Sequence, residues 1–244
     1  MSSDRKKSVL ITGFGPYPGV PHNPSGKLAR ALADQASNIW PDFHFTPNIF
    51  ATEWSSAHRK IKDLFNKYDP VLALHFGMGR QKHALHIERR ARNYASGDSD
   101  QVGCAGCDGP IHSKSPIRLT TNFPVMQAFS ELDARGIPVH ISNNAGTYLC
   151  NYLFYNTLLE ADNRTNPPIT GFVHLPTCII GNEKPERRQT ENRAKSRLTW
   201  PQLMDAGLIL LAHGMRKAHM AQPLQNRFKK TVKTSESINK DGLS

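Results

Sequence analysis

The sequence predicts a single α/β domain built on a mostly parallel, twisted sheet with helices on both faces. Short apolar runs such as Ser8–Gly13, Pro70–Gly77 and Thr170–His174 alternate with stretches of helical periodicity. Loops rich in Gly and Pro punctuate that alternation. At 244 residues and 38% hydrophobic content, the chain is long enough for one large domain with a full core.

The elements follow in order. Ser8-Val9-Leu10-Ile11-Thr12-Gly13 is β-branched and ends at glycine, which reads as a buried strand feeding a loop. The loop from Phe14 to Pro24 carries Gly and Pro, and Ser25 is placed to cap a helix over Gly26 to Ala36. Leu28, Ala29 and Leu32 give that helix one apolar face. Phe43 to Ala51 reads as a second strand, and Pro47 argues for an edge position. Trp54 to Lys67 has helical periodicity, and Pro70 to Gly77 is a continuous apolar strand. Leu85 to Ala91 reads as one strand carrying Glu88, and 98–115 as loop. Phe123 to Ala134 is helical with Gly136 as its stop. Val139 to Ser142 is a strand, Tyr148 to Leu159 a helix and Thr170 to His174 a strand. After a charged loop from Pro185 to Arg197, a final helix runs from Trp200 to Met220 with Pro201 at its start. The domain is expected over residues 1–222, and a basic, flexible tail over 223–244.

Sites in such sheets gather at the carboxyl ends of strands. The loops after Thr12, Phe76, Ser142 and His174 are therefore expected on one rim.

Net charge is +11, concentrated at Arg89 to Arg92, Lys184 to Arg197 and Arg216 to Lys240. Such runs attract nucleic acid or anionic surfaces, but more often they are solvated faces. The sequence has no zinc finger, RNA-binding signature or aromatic-interleaved basic patch, which disfavours a nucleic-acid partner. No apolar run approaches the ~20 residues that span a bilayer. The polar N-terminus has no signal-peptide core, so a cytoplasmic location and no membrane association are expected. Of the cysteines Cys104, Cys107, Cys150 and Cys178, the first two form C-x-x-C. With no second pair nearby, and no thioredoxin-like strand leading into it, this motif reads as two loop thiols.

The most informative stretch is Ser142-Asn143-Asn144-Ala145-Gly146-Thr147-Tyr148-Leu149-Cys150-Asn151, a turn opening a helix with a cysteine in its first turns. The positive end of a helix dipole favours thiolate there. Gly171-Phe172-Val173-His174-Leu175-Pro176 reads as a buried strand with one histidine. An imidazole beside that thiol can take its proton, the minimum equipment of a cysteine nucleophile. Taken singly, Cys150 is also an ordinary buried helical cysteine, His174 a hydrogen-bonded strand histidine and Glu88 a surface carboxylate.

These blocks together resemble the pyroglutamyl peptidase I (pyrrolidone carboxyl peptidase) family of cysteine peptidases. Thr12-Gly13-Phe14-Gly15-Pro16-Tyr17 with Asn23-Pro24-Ser25 is similar to the family's T-G-F-x-P-F…N-P-S signature. Ile87-Glu88-Arg89-Arg90-Ala91-Arg92-Asn93 is similar to its E-R-x-A-x-N block. The Ser142–Asn151 stretch is similar to S-x-x-A-G-x-[FY]-x-C-N, and Gly171–Pro176 to G-F-x-H-x-P. The blocks stand in the family's order over about residues 8–215. The resemblance implies Cys150 as nucleophile, His174 as general base and then acid, and Glu88 as the group orienting the imidazole. It implies a small peptide substrate whose flat, uncharged lactam suits an apolar, aromatic slot. Phe14 and Tyr17 would line that slot, with Tyr148 and Leu149 near the nucleophile; core packing is the competing role for all four. Backbone N–H groups opening the Cys150 helix would serve an oxyanion. The resemblance implies no cofactor and no metal, and allows a homo-oligomer, dimer or tetramer.

Two regions depart from the family pattern. Where the family carries V-G-Q-A-G-G-R, this chain has Phe76-Gly77-Met78-Gly79-Arg80, without the glutamine. Where D-A-R-I-P-D-N is common, it has Tyr94-Ala95-Ser96-Gly97-Asp98-Ser99-Asp100, without the arginine. A divergent relative hydrolysing another small N-acyl or amide substrate therefore stays open, as does a non-catalytic binding protein with a basic surface.

Overall fold

The computed structural model describes residues 6–17, 20–80, 83–177, 179–180 and 198–238. Cys178, the expected charged loop and the side chains of 221–238 lie outside the described residues. In chain order the elements begin with β1 (Lys7–Phe14), α1 (Pro24–Ile39), β2 (Phe43–Phe50), α2 (Trp54–Tyr68) and β3 (Leu72–Met78). β4 (Leu85–Glu88), β5 (Arg90–Arg92), β6 (Arg118–Thr120), α3 (Val125–Ala134) and β7 (Val139–Ser142) follow. α4 (Leu149–Asp162), β8 (Ile169–Leu175), β9 (Ile179–Ile180), β10 (Leu198–Thr199) and α5 (Trp200–Ile238) complete the chain.

Six strands form the main sheet in the order β2-β1-β3-β8-β4-β7. β2 lies at an edge, where Pro47 leaves no central ladder bond unmade. Strands β1, β2, β3 and β8 are parallel, so the sheet is mostly parallel as the alternation of elements predicts. Leu28, Leu32, Leu132 and Leu210, from α1, α3 and α5, pack on Ile11, Leu74 and Val173 of one face. On the other face Ile61, Phe65, Phe154 and Leu158, from α2 and α4, pack on Leu10, Ala73 and Phe172.

Four expectations change. First, β4 runs antiparallel to β8, and β7 runs parallel to β4. The loop after Ser142 thus leaves from the opposite edge to the loops after Thr12, Phe76 and His174. A parallel crossover takes a dozen or more residues, usually a helix. Between Met78 and Leu85 the chain is far too short for one, so it returns in the reverse direction. Second, the Leu85–Ala91 run is not one strand. At Arg89 the backbone bonds Ser142 and Thr121, and Arg90–Arg92 then pairs with β6 instead of the main sheet.

Third, Asn23 rather than Ser25 caps α1, its side chain accepting the Ser25 N–H at 3.1 Å. A cap of this kind is worth about 1 kcal/mol. Ser25 Oγ instead accepts the Phe14 N–H at 3.0 Å and donates to Asn23 Oδ1 at 2.7 Å. Asn23 Nδ2 donates to the Gly15 carbonyl at 3.0 Å. The Asn-Pro-Ser run therefore locks the loop after β1 onto the start of α1. Gly13 permits this contact, because a Cβ there would lie 2.2 Å from the Ser25 carbonyl oxygen. Fourth, α5 continues past Met220 to Ile238. The strong helix formers after Pro223, among them Leu224, Gln225, Arg227, Lys229 and Lys230, offset its missing N–H.

Candidate active site

The site lies on the α2/α4 face of the sheet and is set by strand register. His174 of β8 stands beside Gly77 of β3 on one side and His86 of β4 on the other. Glu88 is two residues along β4, opposite Phe172, so its side chain shares the face of His174. Such diagonal neighbours are within reach of long side chains. His174 Nδ1 and Glu88 Oε1 are 2.8 Å apart. Both residues are buried, Glu88 with 1% of its surface exposed. Glu88 Oε2 is buried with no hydrogen-bond partner among the described residues.

Cys150 arrives from above, in the first turn of α4. It is half-buried, and its Sγ lies over Gly77, where an added Cβ would come within 2.8 Å of it. Glu88 engages His174 Nδ1, which leaves Nε2 for Cys150, the other side chain hydrogen-bonded to the imidazole. Burial alone would lower the His174 pKa. The negative charge of Cys150, with hydrogen bonds to Cys150 and Glu88 and the Glu88 charge, outweighs it and raises the pKa from 6.5 to about 10. Both partners thus favour the charged form of the ring. His86, across the register from His174, is pushed the other way. Burial lowers its pKa, Glu88 opposes, and the charges of His140 and His174 add to the lowering.

The sequence-derived residues Glu88, Cys150, His174, Phe14, Tyr17, Tyr148 and Leu149 all line one cavity of about 690 Å³. Phe14 is 3% exposed and also packs on Phe50, and Leu149 is 1% exposed within the α2/α4 core, so both have packing roles as well. Tyr17 has its pKa raised by burial and then by the Cys150 charge, which places its ring near the thiol. Tyr148 donates its hydroxyl to the Ser99 carbonyl at 3.0 Å. No side chain caps α4 at Tyr148, so the first N–H groups of the helix open beside Cys150. Met78 stands in the cavity wall.

Several supporting residues have no role in the sequence reading. Asn151, fully buried, donates to the carbonyls of Arg92 and Tyr94 at 2.9 Å and accepts the Arg92 N–H at 2.8 Å. It ties the segment after Glu88 to the start of α4. Its place directly after Cys150 in the motif was the available signal. Asp100 accepts N–H bonds from Trp54, Val102 and Cys104 at 3.0, 3.0 and 2.9 Å. Burial would raise its pKa, but these bonds and one from Gly103 hold it below the usual carboxylate range. Trp54 in turn meets Tyr148 and Tyr152 edge-on and donates its Nε1–H to the Asp98 carbonyl. The 96–104 loop is thereby fastened as a cavity wall carrying Asp98, Ser99 and Asp100. Cys104 and Cys107, on and beyond this loop, are exposed free thiols.

This arrangement can generate a thiolate, aim it, and return a proton from the imidazolium. The family model described as pyroglutamyl peptidase matches residues 7–186. This chain belongs to the pyroglutamyl peptidase family. The pyrrolidone-carboxylate peptidase of Pyrococcus furiosus is 31% identical over 169 residues, which cover 69% of this chain and 80% of that one. The Bacillus subtilis pyrrolidone-carboxylate peptidase is 32% identical over 173 residues, covering 70% and 79%. Among solved structures, a mutant pyrrolidone carboxyl peptidase of P. furiosus superposes with a TM-score of 0.75 at 26% identity, covering 86% of this chain and 99% of that chain. Pyroglutamyl peptidase I of Bacillus amyloliquefaciens gives 0.72 at 25% identity, covering 85% and 96%. The family match spans every residue placed in the cavity above. Among the described residues, no helix is long and apolar enough to cross a membrane.

Proposed function

We propose that this chain is a cysteine peptidase that releases an N-terminal pyroglutamyl residue from peptides through an acyl-enzyme on Cys150. The observation that carries the reading is the buried His174–Glu88 pair at 2.8 Å, with Cys150 as the imidazole's second partner. In this reading the Cys150 thiolate attacks the carbonyl carbon joining the lactam to the next residue. An S–C bond forms and the carbonyl π pair moves onto oxygen, where the N–H groups opening α4 receive it. As the tetrahedral species collapses, the C–N bond breaks and His174 gives its Nε2 proton to the departing amine. Neutral His174 then takes a proton from water, whose hydroxide attacks the thioester and frees pyroglutamate. Glu88 keeps Nδ1 protonated throughout, fixing the tautomer and supporting the imidazolium. In this reading His174 first takes the Cys150 proton and then returns one to the amine, acting as base and then as acid.

Phe14 and Tyr17 form the aromatic wall for the lactam, with Tyr148 and Leu149 on the nucleophile's side. Met78 favours carrying a second acyl group into the test, since a thioether is only a weak acceptor for a lactam N–H. The experiment is hydrolysis of a chromogenic pyroglutamyl amide near neutral pH under reducing conditions, beside the matching amides of proline and other small N-acyl groups. Turnover of the pyroglutamyl amide that disappears in Cys150→Ala supports the reading. No turnover of it by the native protein overturns it, and turnover of another acyl amide alone reassigns the substrate.

A further inference from the structure

We propose that Gly77 is a positioning residue for the proposed reaction: the missing side chain at this point of β3 is the seat that lets Cys150 Sγ settle beside His174. The inference rests on the reading of Cys150 as nucleophile, but its geometry is independent of substrate. Neighbouring strands are ~4.8 Å apart. Gly77 is the register partner of His174, so a sulfur resting over Gly77 stands one strand spacing from the imidazole. A Cβ at 77 would lie 2.8 Å from that sulfur and 2.9 Å from Phe172 Cζ. Both approaches are closer than real Cβ atoms tolerate, so both groups must give way.

Phe172 has little room to give. It is fully buried, its ring 5.5 Å from that of Phe154 and 4.9 Å from that of His174. Cys150 is half-buried and borders the cavity, so the thiol is the group with room to yield further. Any side chain at 77 therefore pushes the sulfur away from Nε2 and toward open space. The backbone of α4 does not have to unfold for this. The defect is an aiming defect.

Gly171 supplies the control. A Cβ there would meet Phe123 and Leu74 at 2.9 and 3.0 Å, equally tight but on the opposite face of the sheet. The test compares Gly77→Ala with Gly171→Ala in the full-length protein. Three quantities are read: thermal unfolding, kcat and KM for the pyroglutamyl amide, and the rate of Cys150 alkylation by iodoacetamide across pH. Crowding alone lowers Tm in both variants. The proposal expects G77A to lose about 10²-fold in kcat with KM little changed, the scale of a misplacement near 1 Å. It expects the G77A alkylation profile to coincide with that of His174→Ala, while G171A keeps the native profile. Should G77A alone fail to fold, the double variant G77A/F172L removes the clashing ring atoms and is measured against F172L, with the same loss expected. Native kcat and a native alkylation profile in the folded 77 variant overturn the proposal, as does an equal change of profile in G171A. Alkylation needs no substrate. A native protein without pyroglutamyl turnover would thus overturn the proposed function while still testing Gly77.

Discussion

Replacing Glu88 by glutamine separates the charge of the site from its shape. The carboxylate lies 2.8 Å from His174 Nδ1 and is 1% exposed, so solvent screens little of its interaction. Glutamine fills nearly the same volume and can still accept the Nδ1–H, but as a neutral group. A hydrogen bond to a charged partner is worth about 1.5–3 kcal/mol, a neutral one about 0.5–1.5 kcal/mol. The imidazolium therefore loses about 1–2 kcal/mol of support, which corresponds to about one pH unit at 1.4 kcal/mol per unit. The sign is fixed by charge. Removing an anion beside a cationic acid makes that acid stronger. The His174 pKa, raised by its partners in the native protein, therefore falls. The Cys150 contributions, which include the largest of those that raise the pKa, remain, so it does not drop to the free value. The amide can also turn its NH2 toward Nδ1, which selects the wrong tautomer. General acid–base catalysis contributes about 10²–10⁴-fold, and kcat should fall within that range with KM nearly unchanged. The assay is the pH dependence of kcat and kcat/KM on the pyroglutamyl amide, with thermal unfolding to show that the fold survives. An alkaline limb that stays in place or moves upward, with kcat at the native level, would refute the role given to Glu88.

Cys150→Ser should abolish hydrolysis and iodoacetamide labelling at position 150, because a serine hydroxyl is not ionised near neutral pH; peptide-level mass spectrometry separates that position from the exposed thiols Cys104 and Cys107. Met78→Gln should lower KM for the pyroglutamyl amide by up to about tenfold, the worth of one neutral hydrogen bond, without helping other acyl amides. Two histidines should shape stability in opposite pH windows. His75 is fully buried, bonded to Thr12 Oγ1 at 2.7 Å, and burial lowers its pKa to about 3. Its contribution is present above the unfolded value of about 6.5 and is lost as pH falls toward 3, so His75→Gln should flatten the acid limb of Tm. The raised His174 pKa contributes fully below about 6.5 and is lost as pH rises through about 10, so His174→Gln should flatten the alkaline limb. Asp100→Asn should raise KM more than it lowers kcat, because it loosens the wall carrying Asp98 and Ser99 rather than the nucleophile; steady-state kinetics separate the two.

Local chemistry was legible in the chain. The β-branched run ending at Gly13, the proline in β2 and the apolar runs of β3 and β8 specify strands by composition, and they occupy the positions those features require. Ser25 and Asn23 are both good caps, and only the contact with Phe14 decides that Asn23 takes the helix while Ser25 takes the loop. The run of Leu85 to Ala91 contains no Gly or Pro to mark a break, yet its second half leaves the sheet for β6, a partner more than twenty residues away along the chain. Periodicity reports which residues are buried and says nothing about which strand buries them. The seven predicted site residues came from blocks of sequence, and all seven line one cavity. Gly77 and Asp100 lay outside that reach because their roles consist of a contact distance and a set of backbone N–H partners.

The reversed direction of β4 shows how much of the site depends on what the alternation of elements misses. If β4 ran parallel to β8 with His86 still beside His174, Glu88 would lie nearer the carboxyl rim, on the open side of the imidazole. Antiparallel register puts His86 opposite His174 and Glu88 one diagonal step inward, on the buried side of the imidazole. The carboxylate thus meets Nδ1 from within the protein, and Nε2 is left facing the cavity. The same reversal carries β7 with it, so the chain after Ser142 must climb the face of the sheet to reach α4. That climb passes Asn144, Ala145, Gly146 and Thr147, all of which line the cavity, and it delivers Cys150 from above instead of from a strand end. A strand-end cysteine would share the sheet's plane with the histidine. One presented by a helix approaches perpendicular to that plane, and the bare backbone at Gly77 gives it room to descend. The short connection between Met78 and Leu85 is therefore the feature that decides which side of His174 faces acid and which faces thiol.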